Sequence, residues 1–289
     1  MSPSLRIGAK LPSSGPLARN VPLLESARLA EEAGFDSIWV SDHVVMLRNH
    51  ASPYPFSPDG IMTWDPEDPW HDPLIAMAMC AAVTQRVEVG VAVLIVPMRN
   101  PVILAKQLAS LDALSNGRVV VGAGAGWLAE EFDALGASFQ TRGERLEEWI
   151  EIMRDCWTGE PRPREYRHYR MPEGVLSYPT PAHEVPILIG GMTPAAIRRA
   201  SRIGDGWVAL QHVDEIDLDI LGAGVAAIAA ESARAGRVAP ARVVMRVAGP
   251  TPAVAGRLAG LEEVGVTDVV VDVNWGNGGP RQTMEMLGG

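Results

Sequence analysis

Cysteine is nearly missing from this sequence: Cys80 and Cys156 are the two examples in 289 residues. Each sits inside an apolar helical pattern, far from the other, so neither a disulfide framework nor a zinc signature can be written. Basic clusters are missing as well. With 25 Lys and Arg against 35 Asp and Glu, the formal net charge is −10 and no dense cationic run offsets it. Nucleic acid and anionic membrane both reward concentrated positive charge, so neither is expected as a partner. The longest apolar stretch, Val89 to Pro97, is too short to span a bilayer, and the opening MSPSLRIGAK has no apolar core ahead of a small-residue cleavage site. A cytoplasmic, reducing setting and a small-molecule substrate are the expectations. Chemical signatures are absent too. No His/Cys/Asp/Glu group has metal-ligand spacing, so no metal is expected; no Gly-x-Ser-x-Gly elbow supports a hydrolase, and no Gly-Lys-Ser/Thr run supports a nucleotide triphosphate.

What is present is a repeating pattern. At 47% apolar and 21% charged residues, the chain can bury one full core, and a single domain is expected over 1–289. Short β-branched runs alternate with longer helical patterns, as in βα units around a parallel sheet. The strand candidates are Leu5 to Lys10, Asp36 to Ser41, Val87 to Ile95, Arg118 to Ala123, Pro186 to Gly190, Gly206 to Leu210, Arg242 to Val247 and Asp268 to Val273. Eight strands close a barrel, so the predicted fold class is α/β, a (β/α)8 TIM barrel with insertion loops. Helical patterns over Val21 to Ala33 and Pro101 to Leu114 run into Gly34 and Asn116-Gly117, which suit left-handed caps; those over Glu144 to Trp157, Ala223 to Ala235 and Pro252 to Val264 also stop at or near glycine. Two proline-rich segments interrupt the pattern. Val44 to Asp72 carries Tyr54, Phe56, Trp64 and Trp70, and Glu160 to Glu184 carries several Arg and Tyr residues. Loops of this length serve as lids or binding loops, or else cover apolar helix surface.

Barrel enzymes place their chemistry after the strand C-termini, which selects Lys10, Asp42-His43, Leu94 to Met98, Gly124 to Trp127, Gly191 to Thr193, Gln211-His212, Gly249 and Asn274-Trp275. Asp42-His43 directly follows the apolar strand Ser37 to Val40. Imidazole changes charge near neutral pH and a neighbouring carboxylate can fix its tautomer, so His43 is the candidate catalytic proton donor; a strand-end cap is the other reading. Gly122-Ala-Gly124-Ala-Gly126-Trp127 lies between a strand and a helix, yet Trp127 stands where the dinucleotide fingerprint needs a small residue, and no acidic residue closes a second strand at the required distance. Those glycines fit either close approach of backbone to a planar ligand or tight packing at a barrel corner. Gly190-Gly191-Met192-Thr193-Pro194 is the most phosphate-like element, with free N–H groups, an N-cap Thr and a Pro for the first turn. Arg198 and Arg199 follow on that helix and either assist an anion or are solvated. A barrel mouth with an Asp-His pair, aromatic loops, glycines and an anion site suits a large, flat, phosphorylated cofactor.

These residues also carry a resemblance. Ala30 to His43, Asn100-Pro101 with Ala105-Lys106, Leu111 to Arg118, Gly124-Ala125-Gly126-Trp127 with Glu131-Phe132, Phe139 with Arg142, Gly190-Gly191 and Gly204 to Trp207 occur in an order that resembles the luciferase-like monooxygenase superfamily, and more closely its branch using the deazaflavin coenzyme F420. The resemblance spans nearly the whole chain. It implies a cofactor ring against the third strand, where Ala92, Val93 and Leu94 stand and where the Ala92-Val93 bond would be a non-prolyl cis peptide. It implies that Asp42 contacts the ring or its side chain, that His43 faces the reacting carbon, that Gly190, Gly191, Met192 and Thr193 hold the phosphate, and that Gly124, Ala125 and Gly126 line the cofactor's chain. Sugar-phosphate dehydrogenases of this branch carry an acidic residue where this sequence has Trp127, so the implied substrate is apolar or aromatic, with Trp64, Trp70 and Trp127 beside it. The implied activity is hydride transfer between F420 and a small organic substrate. FMN with a monooxygenation is the alternative cofactor and reaction, and a non-catalytic flavin-binding barrel is a second alternative. A homodimer is also implied.

Overall fold

The β-branched runs become the staves of a closed barrel in the computed structural model, which describes residues 5–55, 57, 59–62, 64–275 and 279–288. The strands are β1 (Arg6–Lys10), β2 (Ser37–Val40), β3 (Glu88–Ile95), β4 (Val119–Gly124), β5 (Ile187–Gly190), β6 (Gly206–His212), β7 (Arg242–Ala248) and β8 (Asp268–Asp272). Neighbours pair in parallel in chain order, and β1 pairs with both β2 and β8, so no edge is left open. Each predicted strand is found, with neither end moved by more than two residues. The TIM barrel expected from the strand count is the observed fold. No helix among the described residues is long and apolar enough to cross a membrane.

Helices α1 (Leu23–Glu32), α2 (Pro73–Val83), α3 (Pro101–Leu114), α4 (Ala129–Ala134), α5 (Arg142–Cys156), α6 (Pro194–Ile203) and α7 (Leu218–Arg234) follow in chain order. Three open alike: Asp72, Asn100 and Thr193 each accept a backbone N–H of the first turn, and a proline supplies the first helical residue. That combination satisfies donors a helix start cannot satisfy itself. Cys80 and Cys156 are buried in α2 and α5 as free thiols. The predicted helix Pro252 to Val264 is instead two short ones, Thr251–Ala255 and Leu258–Glu263, because the chain turns at Gly256, a poor helix former.

Alternation along the strands creates two cores. Outward residues pack under the helices. Inward, Trp39, Val120, Leu188, Val208, Val244 and Val270 fill the barrel with Ala92 and Val93 against them. Below this apolar disc, at the N-terminal ends, Arg6 and Arg242 meet Glu88 and Asp268 at 2.7–3.5 Å. The lower layer is therefore neutral, two cations against two carboxylates.

The two insertions sit at opposite ends. Glu160 to Glu184 follows α5 and precedes β5, so it lies on the N-terminal side of the barrel and is neither a lid nor a binding loop over the mouth. It packs on α5 through Tyr169 against Trp149 (6.0 Å between ring centres) and through the His168 N–H to Glu148 (2.9 Å), and it contains the short ribbon Arg164–Glu165 with Arg170–Met171. A groove of about 780 Å³ beside it is lined by charges that mostly pair with one another, such as Arg199 with Glu147 and Arg164 with Glu151. Val44 to Asp72 follows β2 and lies over the mouth. Phe56 of this segment falls outside the described residues.

Candidate active site at the barrel mouth

Asp42 and His43 are adjacent in the chain and diverge in space, as neighbours leaving a strand must. Asp42 turns into the wall. Its two oxygens take both guanidinium nitrogens of Arg99, each at 2.7 Å, and one also accepts the Ile95 N–H at 2.7 Å. Burial pushes its carboxyl upward and the Arg99 charge opposes this. Asp42 thus ties β2 to the end of β3. Both oxygens point to protein groups.

His43 turns the other way, and its carboxylate partner is Glu131, 88 residues distant, instead of Asp42. Glu131 lies on α4 and is fully buried; Oε1 accepts the N–H groups of Val44 at 2.6 Å and Val45 at 3.2 Å, while Oε2 stands 2.8 Å from Nδ1. A carboxylate in this setting only accepts, so Nδ1 carries the proton and Nε2 is the basic nitrogen. Nε2 has no hydrogen-bond partner among the described residues. The sequence flagged Glu131 only within the Glu131-Phe132 marker. A buried Glu four residues after Trp127, at a helix start, was the available signal.

Aromatic rings close over this imidazole. Trp70 is 4.7 Å from His43 and edge-on, Trp64 is 5.2 Å from Trp70, Tyr54 is 5.7 Å from Trp64 and 5.3 Å from Trp127, and Trp127 is 5.9 Å from His43. The five rings make a circuit. His43 is consequently only 6% exposed. Within that circuit the indole N–H of Trp70 is buried without a hydrogen-bond partner among the described residues, and such a group costs about 1–3 kcal/mol until something accepts from it. The predicted Trp64, Trp70 and Trp127 are therefore brought together around His43.

The Ala92-Val93 bond is cis, and the β3–β4 register shifts between Val91 and Leu94. Leu94 is buried in the wall. Val93 reaches inward: a Cβ on Gly124 would lie 2.5 Å from one of its methyls and a Cβ on Gly190 2.5 Å from the other. Those two glycines make room for Val93. Ala125 and Met192 pack on the outer core, and the Gly126 carbonyl, on a residue with φ +83°, accepts Arg142 Nε at 3.2 Å.

Gly191, at φ +111°, is fixed by two bonds: its N–H donates to Val208 at 3.0 Å and its carbonyl accepts Trp207 Nε1 at 2.7 Å. Thr193 Oγ1 caps α6 by accepting the Ala196 N–H at 3.2 Å. Arg199, in the second turn of this helix, reaches Glu147 at 3.0 Å, and near it stands Arg142, stacked on Phe139 and with no carboxylate within salt-bridge distance among the described residues. Burial, then the charge of Arg199, lowers the Arg142 guanidinium. Two neighbouring guanidiniums and a helix N-terminus are a donor set for an oxyanion. The Arg198 side chain makes no hydrogen bond or ion pair among the described residues, and its carbonyl accepts Ser201 Oγ at 2.9 Å; Arg199 and Arg142 are the relevant pair.

On the opposite rim, β1, β8 and β7 bring Lys10, Asp272 and Arg246 together. Lys10 Nζ donates to the Leu11 carbonyl at 2.7 Å, Arg246 pairs with Asp272, and the second Asp272 oxygen accepts the Gly249 N–H at 2.9 Å. Burial, and then the charge of Arg246, lower the Lys10 ammonium to about 7, with Asp272 opposing.

Comparison with known proteins agrees with this architecture. The model of the luciferase-like monooxygenase family matches residues 6–273. An uncharacterized protein of Mycobacterium tuberculosis strain H37Rv is 36% identical over 248 residues, 85% of this chain and 82% of that one. An F420-dependent glucose-6-phosphate dehydrogenase of Amycolatopsis mediterranei is 33% identical over 190 residues, 64% of this chain and 52% of the dehydrogenase. Among solved structures, an F420-dependent secondary alcohol dehydrogenase superposes with a TM-score of 0.77 at 18% identity, covering 98% of this chain and 99% of its own, which is a likeness of fold.

Proposed function

The chain belongs to the luciferase-like monooxygenase family, and from that premise we propose that it is a coenzyme F420-dependent oxidoreductase moving hydride between the deazaflavin and a small organic substrate, with His43 handling the accompanying proton. The observation that carries this reading is the His43–Glu131 pair under the aromatic circuit. Support also comes from the names of the dehydrogenases to which the chain is similar.

The residues present fit such a cofactor. The start of α6 and the Arg142–Arg199 pair suit its phosphate, whereas the Gly191 N–H is already given to Val208, and the Trp70 N–H suits a polar ligand atom beside His43. When bound, the deazaflavin supplies a two-electron hydride carrier. The chain's own residues do the rest. Glu131 fixes the His43 tautomer so that Nε2 can take a proton from, or return one to, the substrate atom next to the hydride position. Trp70 and Trp127 hold the imidazole edge-on and keep bulk water away. Trp127 packs against Tyr54 and His50 at the place where related sugar-phosphate dehydrogenases carry an acid, and this favours an apolar or aromatic substrate.

Fluorescence titration of the purified protein with F420 and with FMN tests the cofactor assignment. Binding of F420 and not FMN is the expected result; the reverse would move the chain to the FMN-dependent monooxygenase reading.

A further inference from the structure

Lysine occurs twice in this chain, at positions 10 and 106, against 23 arginines. One of the two lines the barrel mouth. Arg6, Gly8 and Lys10 share the inward face of β1, as Arg242, Val244 and Arg246 do on β7 and Asp268, Val270 and Asp272 on β8. The apolar disc is thus bounded by an ionic layer on each side. The lower layer balances; among the described residues the upper sets Lys10 and Arg246 against Asp272 alone and is one negative charge short.

The groups facing Lys10 are few. From β8 comes Asp272 and from β7 Arg246, while β2 contributes the uncharged Trp39 in register with Lys10. Ser13 Oγ lies 3.4 Å from Nζ. Tyr54, from the loop over the mouth, feels the Arg246 charge, and burial pushes its phenol to about 12, so it stays protonated. Arg246 is 8% exposed and cannot give up its proton. Lysine can, and it is the one titratable cation of the layer. The excess charge is relieved either by losing the Lys10 proton or by admitting an anion. A single missing charge matches a carboxylate better than a dianionic phosphate, and Tyr54 links this rim to the aromatic circuit.

We propose that Lys10 and Arg246 form the recognition point for a carboxylate on the substrate, that the substrate's apolar or aromatic body lies against the Tyr54–Trp64–Trp70–Trp127 rings, and that Lys10 takes up a proton as this anion binds. The proposal rests on the reading of the barrel mouth as the substrate site.

Protein labelled with 15N at lysine gives two ε-amine signals, assigned by loss of one in Lys10→Met. Titrations are run with phenylacetate, with neutral phenylacetamide and with inorganic phosphate. Phenylacetate is expected to raise the Lys10 titration midpoint by at least one pH unit, phenylacetamide to leave it in place, and calorimetry in two buffers at pH 7.5 to register net proton uptake. Lys10→Met should weaken phenylacetate binding at least tenfold, and Lys10→Arg should restore binding without proton uptake. A Lys10 midpoint indifferent to phenylacetate, equal affinity of Lys10→Met for it, or a response to phosphate alone would overturn the proposal. F420 titration of the same variants separates the two readings: Lys10→Met should bind F420 like the parent, and loss of F420 binding there would reassign Lys10 to the cofactor. Absence of F420 binding in the parent would sink the F420 reading while the carboxylate response stands or falls by itself.

Discussion

Replacing Glu131 by Gln isolates what its charge does for His43. The fully buried carboxylate accepts three N–H donors, from Val44, Val45 and His43 Nδ1. Glutamine has the same shape but a single accepting oxygen. That oxygen has to stay with the Val44 and Val45 N–H groups, because turning the amide around would set its NH2 against two further donors. The NH2 then faces Nδ1, which must accept, and the ring proton moves to Nε2. His43 would keep its position and present a donor where the parent presents a base. Exchange of a charge-assisted bond for neutral ones costs about 1–2 kcal/mol of stability. Proton transfer by a positioned side chain contributes roughly 10²–10⁴-fold, so turnover should drop within that range while cofactor affinity changes little. By contrast Glu131→Ala strands the buried His43 Nδ1–H, at about 1–3 kcal/mol, and frees the N–H groups of the more exposed Val44 and Val45, so it should destabilise more than it informs. The assay is 15N NMR of histidine-labelled protein, with the His43 ring picked out of the six histidines by His43→Ala. Nδ1-protonated imidazole in the parent and Nε2-protonated imidazole in Glu131→Gln are the expected spectra. An unchanged tautomer together with full turnover would refute the assignment of Glu131 as the positioning residue.

Three further outcomes follow from the geometry. Asp42→Ala removes the bidentate partner of Arg99, which is largely buried at 13% side-chain exposure and keeps, among the described residues, only the longer ion pair to Asp72 at 4.0 Å; urea unfolding should show a loss of about 3 kcal/mol, with F420 affinity of the folded protein retained, and a loss of F420 binding without loss of stability would return Asp42 to the cofactor. Gly190→Ala should cost about 1–3 kcal/mol by driving a methyl into Val93, and Val93→Ala in the same chain should recover much of it; a double mutant no better than the single would show that Val93 is not the obstacle. Lys10→Met should be more stable than the parent near pH 6, by roughly 2–4 kcal/mol after allowance for partial exposure. The sign follows from a folded value near 7 against an unfolded one near 10.4: between these limits the unfolded chain holds the extra proton, so the Lys10 contribution rises with pH and the advantage of the variant should fade toward pH 10. A constant difference from pH 6 to 10 would deny the lowered value.

The barrel was legible because its signal is local. β-branched runs bounded by Gly and Pro name strands whatever lies around them, and the proline-capped starts at Asn100 and Thr193 name helices equally well, while the like start at Asp72 reads only as the end of a loop. The site was legible only in part, because its pairings are set by direction and not by adjacency. Asp42 and His43 read as a couple and are not one, since consecutive residues leaving a strand face opposite ways: one meets Arg99 across 57 residues, the other Glu131 across 88. Gly124 and Gly190 read as floor for a ligand, and their missing side chains are matched by Val93. The Glu160 to Glu184 segment read as a lid until its place between a helix and the next strand fixed it to the far end of the barrel.

The upper ionic layer was legible, though, by a rule already in use. Taking every second residue, β1 reads Arg6-Gly8-Lys10, β7 reads Arg242-Val244-Arg246 and β8 reads Asp268-Val270-Asp272. Each puts a charge at both ends of a residue small or apolar enough for a barrel centre. In a parallel barrel the three first members must share the bottom and the three last members the mouth. Charge is then counted by layer: Glu88 enters the bottom from β3, and no acidic residue enters the top at the corresponding place, where β3 has Ala92. An unbalanced layer at the end of a barrel that carries the loops is a site waiting for an anion, whereas a balanced one at the closed end is part of the frame. The use of lysine at position 10, in a chain that otherwise chooses arginine, gives that layer a charge it can set aside and take back.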